Sequence, residues 1–372
     1  MASIRVVKDH TELQALKTTW HELHQASGSD NVYLTFEWAE AACSHFHLHN
    51  NLQIVVAEQD GAAVCIIPLV RKVTLGGTRL QFLGYPWADY GEALLNPSEP
   101  EVLVQSINYI DRELKWDLLD LAAVPESSLT WKVLSSDWQR PNWLVSVSNY
   151  SVAPYIPIQQ SWEEYLAGIR NKLRTDTMRQ IRRLEKQGEL CFRHCQNQEE
   201  AWRVLDKFAT QKSTRYVTTG ARNILQDGRL LAFYKDITNR FWTEGWVDLT
   251  TLTLDDEVIA IHFGFVFAGK YFYYMPSFNM NYADYSVGRI LLFHLMEESF
   301  QRRLREFDFL SGNDLYKYEW TQKIRQLFSL KAYRRSSRGL VLYGVQEQLI
   351  GAARRSDYIR SLVRWKRKLF QR

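Results

Sequence analysis

The sequence predicts an α/β protein built from two similar halves, each a mixed, twisted β-sheet flanked by helices. Three observations support this prediction: the chain length, the repeated order of the predicted elements, and a tripeptide that recurs at the same place in both halves. The chain has 372 residues, which exceeds one ordinary core and suits two domains of about 150 residues each. Hydrophobic residues make up 46% and charged residues 24% of the chain, so each half can bury a core of its own.

The N-terminal half is predicted to run from helices through a hairpin into an aromatic loop. The turn residues Gln59-Asp60-Gly61 separate two apolar runs of strand length and place the hairpin. The loop from Tyr85 to Gly91 follows the next strand and carries Asp89 among aromatic residues. In chain order the predicted elements are helices over 11–26 and 35–47, strands over 52–58, 62–70 and 78–84, a helix over 99–114 and a strand over 118–121.

The C-terminal half repeats this order. Its hairpin turn is Asp255-Asp256, and the loop after its third strand contains Ala283-Asp284-Tyr285, the tripeptide found 195 residues earlier (283 − 88) as Ala88-Asp89-Tyr90. Because the turn, the loop, the helix and an Asp-bearing strand recur in one order, we predict an internal duplication. The predicted elements are helices over 197–213 and 222–239, strands over 246–254, 257–267 and 270–278, a helix over 288–303 and a strand over 306–310.

Segments outside the repeat set the predicted domain boundaries. Residues 152–158 contain Pro154 and Pro157, which favour extended backbone, and this segment is predicted to be a connector or an edge strand. Two further strands, over 326–334 and 338–345, are predicted after the second half. We expect an N-terminal domain over 1–155, a C-terminal domain over 156–346 and a basic helix over 347–372.

Composition and motifs exclude several classes of protein. Neither the N-terminus nor any other stretch is apolar for long enough to be a signal peptide or to span a bilayer, so we expect a cytoplasmic protein. The cysteines, at positions 43, 65, 191 and 195, lack the paired spacing of a zinc site, and we expect reduced thiols and no metal. The 13 Trp, 19 Tyr and 18 Phe residues are an excess that serves either as core mass or as walls of a ligand groove.

The sequence contains two basic segments whose binding partners it does not identify. The predicted helix over 170–187 carries seven Lys or Arg residues, which suits a solvated surface or contact with the phosphates of tRNA or of a nucleotide-linked acceptor. Residues 354–372 carry eight Lys or Arg against the single Asp357. This tail suits packing on the body of the protein or docking on an anionic membrane surface.

The loop from Tyr285 to Arg289 carries the clearest indication of ligand binding. A strand runs through this loop directly into a helix, and the loop contains Ser286 and Gly288. Unpaired N–H groups at a helix start bind phosphate, Gly288 permits close approach, and Arg289 adds a charge-assisted bond. The alternative is an ordinary helix start, with Ser286 as N-cap and Val287 packing inward.

Around this loop the chain resembles the CelD/BcsL-type acetyltransferase family, which is associated with cellulose and exopolysaccharide synthesis. The resemblance covers roughly residues 160–320, with Val287 at a position where the family usually has Pro. It implies a GNAT-type fold, in a tandem arrangement similar to the FemAB transferases. The motifs are Tyr285-Ser286-Val287-Gly288, Phe307-Asp308-Phe309-Leu310-x-Gly312 and Tyr316-Lys317-x-x-Trp320.

The resemblance implies acyl transfer to an amine or hydroxyl of a sugar, a polysaccharide precursor or another small acceptor. In GNAT enzymes two central parallel strands splay apart, and acyl-CoA lies between them with its pyrophosphate on the loop before the helix. Carried over to this chain, the resemblance implies that those strands are 270–278 and 306–310, and acetyl-CoA or another acyl-CoA is the donor we expect. The residues expected to contact it are Tyr274, Tyr285, Ser286, Val287, Gly288 and Arg289.

Two other hypotheses remain at this stage. FemAB proteins take their acyl group from an aminoacyl-tRNA and transfer it to a peptidoglycan precursor, and the resemblance does not choose between the two donors. The chain is alternatively a catalytically silent regulator of a membrane polysaccharide synthase, acting through its basic tail.

Three residues are candidates for catalysis. His262 lies in an apolar strand, in the part of a GNAT fold that often supplies the base, and the alternative is a core histidine. Asp308 alternates with Phe307 and Phe309, so its carboxylate points away from them and needs a partner or a task. Lys317 is its candidate partner, either in a structural pair or in catalysis.

Acceptor binding is assigned to side chains of two loops and one helix. Asp89 and Tyr90 lie on the aromatic loop, which in a tandem arrangement faces the cleft between the halves, and a plain turn is the alternative. Tyr216 follows the basic residue Arg215, and Tyr316 belongs to a segment that carries the resemblance.

Overall fold

The computed structural model describes residues 2–46, 48, 50–74, 76–220 and 223–349. The predicted basic helix over 347–372 lies outside the described residues from position 350 onward. In the described ranges, no helix combines the length and the apolar character that crossing a bilayer requires.

Both halves contain strands and helices. The strands are Ser3–Val7 (β1), Ile54–Gln59 (β2), Ala62–Ile67 (β3), Leu69–Thr74 (β4), Gly77–Phe82 (β5), Leu94–Leu95 (β6), Leu118–Pro125 (β7), Trp143–Pro157 (β8), Leu190–His194 (β9), Val247–Leu254 (β10), Glu257–Phe267 (β11), Lys270–Phe278 (β12), Glu306–Asp308 (β13) and Ile324–Arg334 (β14). The helices are His10–Ala15 (α1), Lys17–Ser27 (α2), Phe36–His45 (α3), Glu101–Glu113 (α4), Leu129–Leu134 (α5), Trp162–Gly168 (α6), Asn171–Glu185 (α7), Gln198–Thr219 (α8), Arg229–Thr243 (α9), Val287–Gln301 (α10) and Ser337–Tyr343 (α11).

Each half is built around two parallel strands joined by a helix. In the N-terminal half β5 pairs with β7 and α4 connects them, with Arg79 opposite Leu118. In the C-terminal half β12 pairs with β13 and α10 connects them, with Lys270 opposite Glu306. An antiparallel hairpin precedes each pair, β2–β3 in the first half and β10–β11 in the second. The predicted fold class, an α/β protein with two similar halves, is therefore confirmed.

One ten-stranded sheet runs through both halves, in the order β4-β5-β7-β14-β8-β13-β12-β11-β10-β9, beside a four-stranded sheet of order β1-β2-β3-β6. The prediction that residues 152–158 form a connector or an edge strand is wrong, because they end β8, which lies between β14 and β13. Proline is tolerated there because its carbonyl still accepts a hydrogen bond: the Phe309 N–H donates to Pro154 O at 3.0 Å. The predicted boundary between residues 155 and 156 thus falls inside β8.

The prediction of a strand over 338–345 is also wrong, because this segment begins with helix α11. Its apolar run reads as a strand, but Ser336 caps the helix by accepting a hydrogen bond from the Gly339 N–H at 3.1 Å. The preceding strand, predicted over 326–334, is present as β14, and it pairs with β7 of the N-terminal half.

Aromatic side chains join the two halves in one apolar core. Trp38 of α3 packs edge-on against Phe233 of α9, with ring centroids 5.1 Å apart, and against Phe265 of β11 at 6.0 Å. All three side chains are almost fully buried. Much of the aromatic excess is therefore core mass that the two halves share.

Candidate functional site

The parallel strands β12 and β13 stay together for three residues and then separate. Lys270, Tyr271 and Phe272 pair with residues 306–308, after which β13 ends while β12 continues to Phe278. A gap therefore opens in the sheet beyond Asp308, at the carboxyl ends of both strands. Ligands of α/β proteins commonly bind at such an opening.

The loop from Tyr285 to Arg289 leads from this opening into α10. Ser286 has a left-handed conformation (φ 53°), and its side chain makes no capping hydrogen bond. The N–H groups of Val287 and Gly288 have no acceptor among the described residues, so they remain available to an anion. Val287 is fully buried. The inward packing expected of an ordinary helix start is therefore present together with the free N–H groups.

Basic side chains surround the same helix start. The Arg183 guanidinium of α7 lies 4.7 Å from the Tyr285 ring centroid, and that of Arg215 of α8 lies 5.3 Å from the Phe278 ring centroid. Arg289 has a buried Nε with no hydrogen-bond partner among the described residues. The unpaired amides thus lie in a positive electrostatic potential, which favours phosphate groups.

A polar cluster between the halves lies beside the opening, and we call Asp89, Tyr90, Asp308, Lys317 and Arg325 the interdomain cluster. The Asp308 carboxylate is fully buried. It accepts hydrogen bonds from the Tyr90 hydroxyl at 2.8 Å, from Arg325 Nη1 at 3.1 Å and from one backbone N–H. Its charge is therefore compensated by the Arg325 guanidinium and further stabilised by the Tyr90 hydroxyl.

The structure does not pair Asp308 with Lys317, and the suggested structural pair is corrected. Lys317 Nζ lies 3.5 Å from Asp314 Oδ2 and donates to the carbonyl oxygens of Leu310 and Ser311, at 3.3 and 3.1 Å. Arg325 has taken the place expected for Lys317, because β14 lies next to β8 and brings its guanidinium to Asp308. Lys317 is itself buried, which lowers its pKa despite the neighbouring carboxylates.

Asp89 is the second carboxyl of the interdomain cluster. Burial raises its pKa to about 7, against the opposing charge of Lys317 and a hydrogen bond from the Tyr33 hydroxyl at 3.2 Å. The neighbouring Asp308 charge raises this pKa further. A carboxyl that titrates near neutral pH and lies beside a cleft can take a proton from an amine or a hydroxyl.

His262 lies apart from the opening, inside the sheet. It is fully buried, its Nδ1 is hydrogen-bonded to the Tyr271 hydroxyl at 2.9 Å, and its ring stacks on that of Tyr273 with centroids 4.4 Å apart. Burial lowers its pKa to about 3. This environment suits the core-histidine alternative, because a base with so low a pKa is weak.

The candidate tyrosines occupy different parts of the cleft. Tyr274 points to the side of the sheet opposite Tyr273, where its hydroxyl donates to Trp87 O at 2.9 Å, so it lies near Asp89 and not beside the α10 start. Tyr316 is 38% exposed. Burial raises the pKa of both Tyr216 and Tyr316, and the charge of Arg215 opposes this shift in each, so the two tyrosines lie near the same guanidinium.

Two members of the site had no sequence signal of their own. Tyr33 contacts Asp89 across a separation of 56 positions, and Arg325 contacts Asp308 from a strand that follows the second half.

Comparisons with known proteins agree with the fold described above. Residues 171–318 match the family model described as acetyltransferase (GNAT) domain. No curated protein matches the sequence.

Solved structures resemble the chain over most of its length. FemX aligns with a TM-score of 0.61 at 12% identity, over 88% of this chain and 98% of FemX. A conserved protein of unknown function from Bacteroides thetaiotaomicron aligns with a TM-score of 0.55 at 12% identity, over 90% and 100% of the two chains. L-PGS from Bacillus licheniformis aligns with a TM-score of 0.52 at 12% identity, over 84% and 92%. Residues 171–318 are therefore similar to a GNAT acetyltransferase domain, within a two-half fold that is similar to that of FemX.

Proposed function

We propose that the protein is an acyltransferase that moves an acyl group, acetyl in the simplest case, from an acyl-CoA to an amine or hydroxyl of a sugar or polysaccharide precursor. One observation carries this proposal: a carboxyl with a pKa near 7, Asp89, lies beside the opening between β12 and β13. The resemblance to CelD/BcsL-type acetyltransferases supports the choice of a saccharide acceptor.

The helix start of α10 supports a phosphate-bearing donor. The amides of Val287 and Gly288 would hold its pyrophosphate, and Arg183 and Arg215 would add charge. Gly288 leaves room there, because a Cβ added to it would meet only Phe278 Cδ1, at 3.6 Å. The donor supplies the activated acyl carbonyl, and the chain positions it.

Asp89 would act as the general base. Ionised, it takes the proton of the attacking amine or hydroxyl as the nucleophile approaches the acyl carbonyl. The Tyr33 hydroxyl orients its carboxylate, and the Lys317 charge keeps enough of it ionised at neutral pH. The neighbouring residues Asp308, Tyr90 and Arg325 would act as positioning residues. Their mutual hydrogen bonds would hold in place the part of the interdomain cluster next to Asp89.

Transfer from an aminoacyl-tRNA is the second candidate. It is favoured by the likeness to FemX and by the position of the basic helix α7, where Arg183 contacts the Tyr285 ring. Calorimetric titration with acetyl-CoA and, separately, with a total tRNA pool tests the choice. Acetyl-CoA binding that survives 200 mM salt supports the first candidate, and salt-sensitive tRNA binding without acetyl-CoA binding supports the second.

We expect Gly288→Glu to weaken acetyl-CoA binding by about tenfold or more, because a carboxylate at the helix start repels phosphate and covers the free amides. Calorimetry measures this change. Gly288→Ala is the matched control, since its Cβ makes an ordinary contact with Phe278 and should leave the affinity within about twofold. Equal acetyl-CoA affinities for wild type and Gly288→Glu would contradict donor binding at this loop.

We expect His262→Asn to leave kcat within about threefold of wild type, because a fully buried imidazole with a pKa of about 3 has little basicity to contribute. The substitution should instead lower the free energy of unfolding by about 1–2 kcal/mol, since the stacking of His262 on Tyr273 is removed. Release of free thiol from acetyl-CoA measures kcat, and urea unfolding measures stability. A fall in kcat of more than about a hundredfold with unchanged donor affinity would instead indicate that His262 is the general base.

A further inference from the structure

A cavity of about 280 Å³ lies where the two halves meet, and its lining shares no residue with the α10 start or with the interdomain cluster. Helix α2 and the start of α3 border it from the N-terminal half, and the turn after α9 and the end of β11 border it from the C-terminal half. Ordinary ligand pockets measure about 300–1,000 Å³. The cavity therefore suits a small ligand that contacts both halves.

Aromatic rings form part of the cavity wall. They belong to Phe36 of α3, to Trp246 after α9 and to Phe267 at the end of β11. The rings of Trp246 and Phe267 meet edge-on, with centroids 4.8 Å apart. Lys17 Nζ lies 5.8 Å from the Phe36 ring centroid, which shows that a cation can approach that ring. Because the faces of aromatic rings attract cations, these walls suit a positively charged ligand with an apolar body.

Glu37, in the first turn of α3, is a buried carboxylate with incomplete hydrogen bonding. Its Oε1 lies 2.9 Å from His21 Nε2, whereas its Oε2 is buried and has no hydrogen-bond partner among the described residues. The residue is only 8% exposed, so solvent does little to offset the cost of the unpaired oxygen. The terminal torsion of a Glu side chain is soft, and a small rotation would turn Oε2 towards a donor in the cavity.

His24 of α2 provides a second unpaired atom at the same cavity. Its Nε2 is buried and has no hydrogen-bond partner in the described part of the chain. Burial lowers the pKa of His24 from its ordinary 6.5, although the charge of Glu37 opposes this shift. The ring is therefore neutral near pH 7, and in the tautomer protonated at Nδ1 its Nε2 accepts a hydrogen bond.

The charges that line the cavity favour a cation. Glu244 adds a second carboxylate at an exposed position, and the described lining includes no Lys or Arg. We propose that this cavity binds a small organic ammonium, a primary amine with an apolar body, whose N–H groups donate to Glu37 Oε2 and His24 Nε2 while the body contacts Trp246 and Phe267. This site goes beyond the proposed function and does not depend on it.

Calorimetric titration of the full chain with butylamine at about pH 8 tests this site, and butan-1-ol is the matched uncharged probe. We expect the amine to bind wild type at least tenfold more tightly than the alcohol does, because only the ammonium forms charge-assisted hydrogen bonds. Glu37→Gln keeps the shape of the side chain without its charge and should weaken amine binding by at least about tenfold. Glu22→Gln, at an exposed position of α2, is the matched control and should leave the affinity unchanged.

A second variant keeps the test decisive if Glu37→Gln fails to fold, which urea unfolding would reveal. Glu244 is exposed, so Glu244→Gln leaves the core intact and should weaken amine binding by about twofold to fivefold. The proposal is overturned if butylamine does not bind at millimolar concentrations, if butan-1-ol binds as tightly, or if neither substitution weakens binding. Displacement of the amine by equimolar Zn²⁺ would also overturn it, since the histidines and Glu37 would then serve a metal. No acyl donor is present, so these outcomes are independent of acyl transfer.

Discussion

Asp89→Asn is expected to slow acyl transfer by about 10²- to 10⁴-fold, the usual contribution of a general base, while leaving acetyl-CoA affinity unchanged. Asn keeps the shape of the side chain and can still accept the hydrogen bond of the Tyr33 hydroxyl, so the loss reflects basicity. Thiol release under saturating donor gives kcat, and calorimetry gives the donor affinity.

The pH profile supplies an independent readout of the same residue. Because the pKa of Asp89 is about 7, wild-type kcat/KM should rise about tenfold per pH unit below pH 7 and level off above it. The residual activity of Asp89→Asn should lack the lower limb.

Stability should change in the opposite direction to activity. The pKa of Asp89 is raised by folding from its ordinary 3.8 to about 7, so the folded state holds the proton more tightly, and stability falls as pH rises from about 4 to 7. Removing the charge should therefore stabilise the protein at pH 8, by about 1–2 kcal/mol after allowance for partial exposure. An Asp89→Asn protein with wild-type kcat, or one that is less stable than wild type at pH 8, would contradict the assignment.

Arg325→Met is expected to lower the free energy of unfolding by about 3–5 kcal/mol, because it leaves the fully buried Asp308 carboxylate without its cation. The same change removes the paired bonds from Arg325 Nη2 to Glu306, both 3.0 Å long. Urea unfolding at pH 7 measures the loss. Arg305→Met is the matched control: its side chain is 63% exposed and 3.3 Å from Asp30, so it should cost less than about 1 kcal/mol.

A double-mutant cycle separates the ion pair from simple loss of packing. Asp308→Asn in the Arg325→Met background removes the buried charge, and we expect it to restore about 1–3 kcal/mol. If Arg325→Met alone unfolds within about 1 kcal/mol of wild type, or if the two substitutions are additive, Asp308 is not held by Arg325.

The local sequence pattern was sufficient to predict most individual helices and strands. The strands over 257–267 and 270–278 have their predicted bounds, and the helix predicted over 170–187 is present as α7. These segments combine a regular apolar period with turn or cap residues, so local and tertiary preferences agree. The segment over 338–345 was predicted wrongly because its apolar residues are compatible with both structures, and the Ser336 cap decides in favour of helix.

The loop over residues 285–289 was also identifiable from sequence, since a short loop before a helix has free amides wherever it occurs. The proposed base was not. The sequence suggested His262 as the base and Asp89 as an acceptor-binding residue. Their pKa values, about 3 and about 7, are separated by burial and neighbouring charges that come from distant parts of the chain.

By itself, the sequence of this protein determined the two similar α/β halves, the order of their elements and the loop that enters α10, because each depends on contacts between residues close along the chain. Only the tertiary structure decided that β14 lies beside β8, that Arg325 and not Lys317 holds Asp308, and that Tyr33 contacts Asp89. The physical reason is that these contacts join residues far apart in sequence, whose pairing depends on the packing of the whole sheet.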